Sequence, residues 1–88
     1  MALTKAQIKE FKEADKEAED CSELSSLAES LFELGDKEWA KEIYKKAEDK
    51  AENCDDYEYL AKSLRDYLGD KKWAKLADQK AKELEDDE

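Results

Sequence analysis

Apolar residues recur along the chain at steps of three and four, in five successive stripes. The first runs Ile8, Phe11, Ala14 and Ala18, and the second Leu24, Leu27, Ala28, Leu31 and Leu34. The third holds Trp39, Ala40, Ile43, Ala47 and Ala51, widened by Tyr44. Tyr57, Leu60, Ala61, Leu64 and Leu68 form the fourth, with Tyr67 beside it; Trp73, Ala74, Leu76, Ala77, Ala81 and Leu84 form the fifth. A helix of about 3.6 residues per turn buries positions spaced in this way on one face, so each stripe predicts an amphipathic α-helix.

End chemistry bounds the helices. Thr4 and Gln7 have the spacing of a capping box, with Leu3 and Ile8 at the staple positions on either side. Asp20, with Glu23 three residues on, starts the second helix, and Gly35 stops it by taking the left-handed conformation that other residues avoid. Asp36 then caps the third helix at once, so the connecting turn is about two residues long and its helices are antiparallel neighbours. The fourth helix starts near Asn53 to Asp55, and Gly69-Asp70 repeats the stop and start. The expectation is an all-α chain, about four-fifths helical, of five antiparallel helices in up-down order.

The stripes belong to a repeat. Leu34-Gly35-Asp36-Lys37-Glu38-Trp39-Ala40-Lys41 returns 34 residues later as Leu68-Gly69-Asp70-Lys71-Lys72-Trp73-Ala74-Lys75 with one change. Upstream the offset is 33: Ala14, Ala18, Glu19 and Cys21 return as Ala47, Ala51, Glu52 and Cys54, and Leu27, Ala28, Ser30 and Leu31 as Leu60, Ala61, Ser63 and Leu64. Between the blocks the second copy has gained one residue. Residues 1–88 thus read as a single domain of about two and a half helical hairpins, stacked as a short α-solenoid. Trp39 and Trp73 fall in first turns, where each indole is expected half-buried near the Gly turns with an acceptor for its N–H.

Composition narrows the function. Sixteen basic against 26 acidic residues give a formal net charge of −10, which disfavours nucleic acid and anionic membranes. Histidine, proline and valine are absent, and only Thr4, Ile8 and Ile43 are β-branched, so strands have almost nothing to form from. No apolar run is long enough to span a membrane. Met1-Ala2-Leu3-Thr4-Lys5 passes straight into the amphipathic pattern without an apolar signal segment, which predicts a soluble, cytoplasmic protein.

Candidate chemistry is sparse, and the sequence assigns no catalytic, cofactor-binding or metal-binding residue. Without histidine, Ser22, Ser25, Ser26, Ser30 and Ser63 lack the usual base and are read as capping or solvent-facing. Asp55, Asp56 and Glu58 lack the alternating ligands and central Gly of a calcium loop and are read as helix N-terminal acids. Cys21 and Cys54 lie 33 residues apart with no other zinc ligand pattern. Equivalent turns of a stacked repeat lie about 10 Å or more apart, beyond the roughly 7 Å that a disulfide spans, so both are expected as thiols. Glu38 with Lys41 and Glu42 with Lys46 have the spacing of helical ion pairs. The acidic tail Glu83, Glu85, Asp86, Asp87 and Glu88 opposes the helix dipole, which predicts fraying over roughly the last three to five residues.

The hairpin of about 34 residues resembles tetratricopeptide-like repeats from Ala14 onward. That resemblance implies stacked hairpins. Counting on from Trp39, the chain has Glu42 and Ile43 at the family's Leu-Gly places and Lys46 at its Tyr, and lacks the closing proline, so the peptide-clamp residues are not carried over. The near-identical turn blocks, complete capping box and Lys/Glu surface also resemble a computationally designed helical protein. These features point to a structural helical-repeat protein, non-enzymatic and monomeric, without cofactor or required partner; its premise is that no polar constellation breaks the repeat. The alternative is an interaction module binding a basic peptide. The first and fifth helices are the surfaces open to self-association.

Overall fold

Helices form where the caps place them. The structure, a computed structural model, describes residues 3–86. It contains α1 (Lys5–Glu17), α2 (Cys21–Glu33), α3 (Lys37–Lys50), α4 (Cys54–Ser63), which continues into a π-helical turn (Leu64–Leu68), and α5 (Lys71–Asp86). Among the described residues the fold is all-α and 84% helical. At each start a side-chain oxygen takes up a first-turn amide: Thr4 accepts from Gln7 N at 3.1 Å, Asp20 from Glu23 N at 2.8 Å and Asp36 from Trp39 N at 3.1 Å. Asn53 accepts from Asp56 N at 2.9 Å and Asp70 from Trp73 N at 3.0 Å. Gln7 Oε1 also accepts from Thr4 N, completing the capping box. Each cap is worth about 0.5–2 kcal/mol.

The helices form two layers. In one, α1, α3 and α5 run parallel. Phe11 of α1 meets Trp39 of α3 edge to face at 6.0 Å, and one repeat later Tyr44 of α3 meets Trp73 of α5 in the same way at 6.2 Å. The other layer is α2 beside α4, also parallel, with Ser26 opposite Tyr59 and Glu29 opposite Ser63. The tightest packing joins the layers, α2 on α3 and α4 on α5, across the Gly turns. Both tryptophans are half-buried, and Trp73 Nε1 donates to Glu48 Oε2 at 3.0 Å. The core places the leucines Leu24, Leu31, Leu60 and Leu64 against Ala40, Ile43, Ala47, Ala74 and Ala77, so large side chains from one layer meet mainly small ones from the other.

Four expectations change. The α1 stripe is not a core face: among the described residues of α1 none is buried, Ile8 and Phe11 are half-buried, and Ala14 is exposed. As the end helix, α1 has a neighbour on one side only. Leu34 and Leu76 also leave their stripes, 36% and 63% exposed. The local pairs Glu38–Lys41 and Glu42–Lys46 do not form; Lys46 instead reaches Asp15 of α1 at 2.6 Å. Finally, Ser25 and Ser63 are buried rather than solvent-facing. The fraying expected over roughly the last three to five residues is not seen up to Asp86, where α5 stays helical, and the remaining Asp87 and Glu88 lie outside the described residues.

The extra residue of the second copy has a structural counterpart. Between Leu31 and Leu34 stand Phe32 and Glu33; between the equivalent Leu64 and Leu68 stand Arg65, Asp66 and Tyr67. In the first copy the chain closes with Gly35 N donating to Phe32 O and Asp36 N to Leu31 O, both at 3.0 Å, around Gly35 at φ +96°. In the second, the helix widens into the π-turn. Gly69, at φ +71°, and Asp70 both donate their amides to Leu64 O. One inserted residue is thus absorbed within a turn of helix, and the Gly-Asp corner stays where α5 needs it.

A polar cluster at the break in the repeat

Three side chains from three helices meet beside the π-turn. Ser63 Oγ donates to Glu29 Oε2 at 2.6 Å, and Tyr44 lies 2.5 Å from Ser63 Oγ. Because the serine proton is directed to the carboxylate, the phenol donates, and the order is Tyr44 O–H to Ser63 O–H to Glu29. Tyr44 is fully buried, Ser63 is 3% exposed and Glu29 is half-buried, so the chain leads from the core to the surface. Among the described residues no buried side-chain oxygen or nitrogen lacks a partner.

The repeat does not contain this cluster twice. Phe11 precedes Tyr44 by one repeat and has no hydroxyl, while Ser30, the equivalent of Ser63, is exposed. Lys62 follows Glu29 by the same offset, and the inserted stretch supplies Tyr67. Glu29, Tyr59, Lys62, Ser63, Asp66 and Tyr67 line a cavity of about 300 Å³ at the outer end of the chain. Tyr59 is 40% exposed at its rim, its hydroxyl 3.3 Å from Ser26 Oγ. The negative charge of Glu29, more than burial, raises the pKa of Tyr67, with Glu33 adding to it. Lys62 notwithstanding, the cavity surrounds Glu29 and Asp66 with two phenols and carries net negative charge.

None of these residues was singled out as a site from sequence. The usable signal was the repeat itself: Phe becomes Tyr at position 44 in the same copy that gains a residue before Leu68. Other concavities follow the layer of α1, α3 and α5. Grooves of about 730 and 590 Å³ lie along α1 and α3 and along α3 and α5, with Asp15, Glu42 and Lys46 in the first matched one repeat on by Glu48, Leu76 and Lys80 in the second. They recur with the repeat and mix both signs of charge.

The thiols stand apart from this cluster. Cys21 and Cys54 are not joined in a disulfide. Cys21 is buried, donates to the Asp56 carbonyl at 3.6 Å, and lies 3.9 Å from Ser25 Oγ; burial pushes its pKa up to about 11. Among the described residues no group of three or more His, Cys, Asp or Glu is placed to hold a metal ion, and no helix is long and apolar enough to cross a membrane.

Buried acids with raised pKa values make the fold sensitive to alkali. Burial is the main cause that pushes Tyr44 up to about 12 from 10, partly offset by its bond to Ser63 and reinforced by Glu29. In the unfolded chain the thiol and phenol ionise at their ordinary values, so above those values the unfolded state holds fewer protons than the folded one and stability falls with rising pH. The contributions of Cys21 and Tyr44 are full below about pH 9 and pH 10, and are lost as pH rises through about 11 and 12. Urea denaturation across that range will show the decline, and Tyr44→Phe will shallow it above about pH 10. A decline of unchanged slope in that variant contradicts the assignment to Tyr44.

Comparison with protein-family models, with curated proteins and with solved structures finds no match to this chain.

Proposed function

We propose that the chain is a helical-repeat interaction module that binds a basic segment of another protein at the cavity beside the π-turn. The observation that carries this is the Tyr44–Ser63–Glu29 chain with its phenol-walled cavity, a polar constellation that breaks an otherwise regular repeat. A repeat built only for support needs no such departure, and π-turns made by single insertions are frequent at functional sites. The net charge of −10 draws basic partners from a distance, but exposed charges are screened within about 8 Å at physiological ionic strength. Selectivity therefore has to come from close contact.

A designed, ligand-free structural scaffold is the second candidate. Its support is the regularity of the helix starts, all five of which carry a side-chain cap at the first turn. The two separate in a titration against arrays of basic, neutral and acidic peptides. Saturable, sequence-dependent binding of basic peptides is expected of the module. Binding that tracks peptide charge alone and vanishes with added salt, or no binding, leaves the scaffold.

A further inference from the structure

The end helix α1 carries a strip of positive charge in a chain whose net charge is −10. Lys5, Lys9, Lys12 and Lys16 follow one another at steps of four, three and four, so at about 100° per residue they fall within an arc of about 60° on one side of the helix. At about 1.5 Å per residue the strip is about 17 Å long. All four residues are exposed, and none forms an ion pair within 4 Å among the described residues. Ile8 lies beside them, half-buried, where the two later copies of the repeat have the exposed lysines Lys41 and Lys75. Together with Glu13 these five residues line a concavity of about 350 Å³, which meets the groove between α1 and α3 at Ile8 and Lys12. One acid among four lysines leaves the concavity positive.

The same chain supplies the opposite charge. Glu83, Glu85, Asp86, Asp87 and Glu88 put five acids into the last six residues, the densest run of one sign in the sequence. A helix C-terminus carries partial negative charge and favours cations beside it. α1, α3 and α4 place Lys16, Lys50 and Lys62 in their last turns, whereas α5, helical to Asp86, has no basic residue in its last turn. Glu83 is held only loosely by Lys80, at 4.0 Å. Cations brought from elsewhere therefore neutralise both the acids and the helix dipole. Within one copy α3 stands between α1 and α5, so the strip and the acidic end meet only between copies. Two chains of charge −10 repel at a distance, but exposed charges are screened beyond about 8 Å at physiological ionic strength, and the close contact pairs opposite signs.

We infer that the lysine strip of α1 is a docking surface for the acidic C-terminal end, residues 83–88, of a second copy of this chain. Each copy offers one strip and one acidic end, at opposite edges of the layer of α1, α3 and α5, so the contact is head to tail and continues past two copies. Exposed ion pairs are individually weak, so the association has a Kd on the order of 1 mM and is lost in high salt. It uses none of the residues around the π-turn and stands or falls apart from the basic-segment reading above.

Two surface variants separate the halves of the contact. Lys9→Glu with Lys12→Glu reverses the strip and leaves the acidic end, whereas E85Q, D86N, D87N and E88Q together neutralise the end and leave the strip. Light scattering and translational diffusion are followed from about 0.1 to 3 mM protein, a range that brackets the expected Kd, at about 0.15 M and 1 M salt. The wild-type mass is expected to rise with concentration beyond that of two copies at the lower salt and to stay monomeric at the higher. Each variant alone should stay monomeric, and an equimolar mixture of the two should form one-to-one pairs and go no further, since it holds one working strip and one working end. Glu29→Gln, at the cavity beside the π-turn, should associate as the wild type does. A wild type or a mixture that stays monomeric throughout overturns the inference. So does association that survives 1 M salt, persists when the acidic end is neutralised, or is lost in Glu29→Gln.

Discussion

Leu64→Ala is expected to destabilise the fold by about 2–5 kcal/mol, read as the shift in a urea denaturation curve. Leu64 is 0% exposed, sits where α4 passes into the π-turn, and packs in the core among residues of both layers. Its removal opens a cavity that a helix end already closed by the Gly69 and Asp70 amides cannot collapse to fill. Total stability for a chain of this length is on the order of 4–13 kcal/mol, so such a loss takes a large share of it. The repeat-equivalent Leu31→Ala should cost a similar amount, since Leu31 is equally buried. Ile8→Ala in α1 should cost below about 1 kcal/mol, because Ile8 is only half-buried and borders a groove. An Ile8→Ala loss as large as that of Leu64→Ala contradicts the placement of the core within α2 to α5.

The second large effect concerns the polar chain. Ser63→Ala leaves the Tyr44 hydroxyl buried with no acceptor and takes a donor from Glu29, a loss of about 1–3 kcal/mol. Tyr44→Phe is milder, since Ser63 keeps its bond to Glu29 and the new side chain is the one the first repeat carries at Phe11. In the double variant the orphaned hydroxyl is gone. Its stability should therefore match or exceed that of Ser63→Ala alone, a non-additive result that a double-mutant cycle on urea midpoints will measure. Strict additivity of the two losses means that the groups do not act as one chain.

Much of this fold was legible in the residues because its determinants are local. A side-chain cap acts within one turn, a glycine stop within one residue, and the apolar period reports the buried face of any helix that has something to bury it against. The last condition failed for α1. Its Ile8, Phe11, Ala14 and Ala18 make as regular a stripe as any, but no residue of that stripe tells whether a second neighbour exists, and Ala14 faces solvent. Ser63 failed for the opposite reason. It lies beside Leu60 and Leu64 on the edge of the α4 stripe, where a hydroxyl is solvated unless a partner arrives from another helix. Tyr44 and Glu29 arrive from two. The inserted residue was visible as a change of offset from 33 to 34, yet offset counts residues and says nothing of whether a loop, a bulge or a π-turn takes up the extra one.

Under the proposed function, the break in the repeat has a job beyond holding the stack together. Deleting Asp66 tests it most directly, because Leu64-Arg65-Tyr67-Leu68 then has the spacing of Leu31-Phe32-Glu33-Leu34 and the π-turn can close as an ordinary helix end. The measurement is the affinity of the wild-type and deleted proteins for the same basic peptide, with thermal unfolding recorded for both. The expected result is a deletion protein that stays folded, with its stability within about 1 kcal/mol of the parent, and that no longer binds the peptide because Tyr67 is turned away from Glu29. A folded deletion protein that binds the peptide as tightly as the parent contradicts the claim.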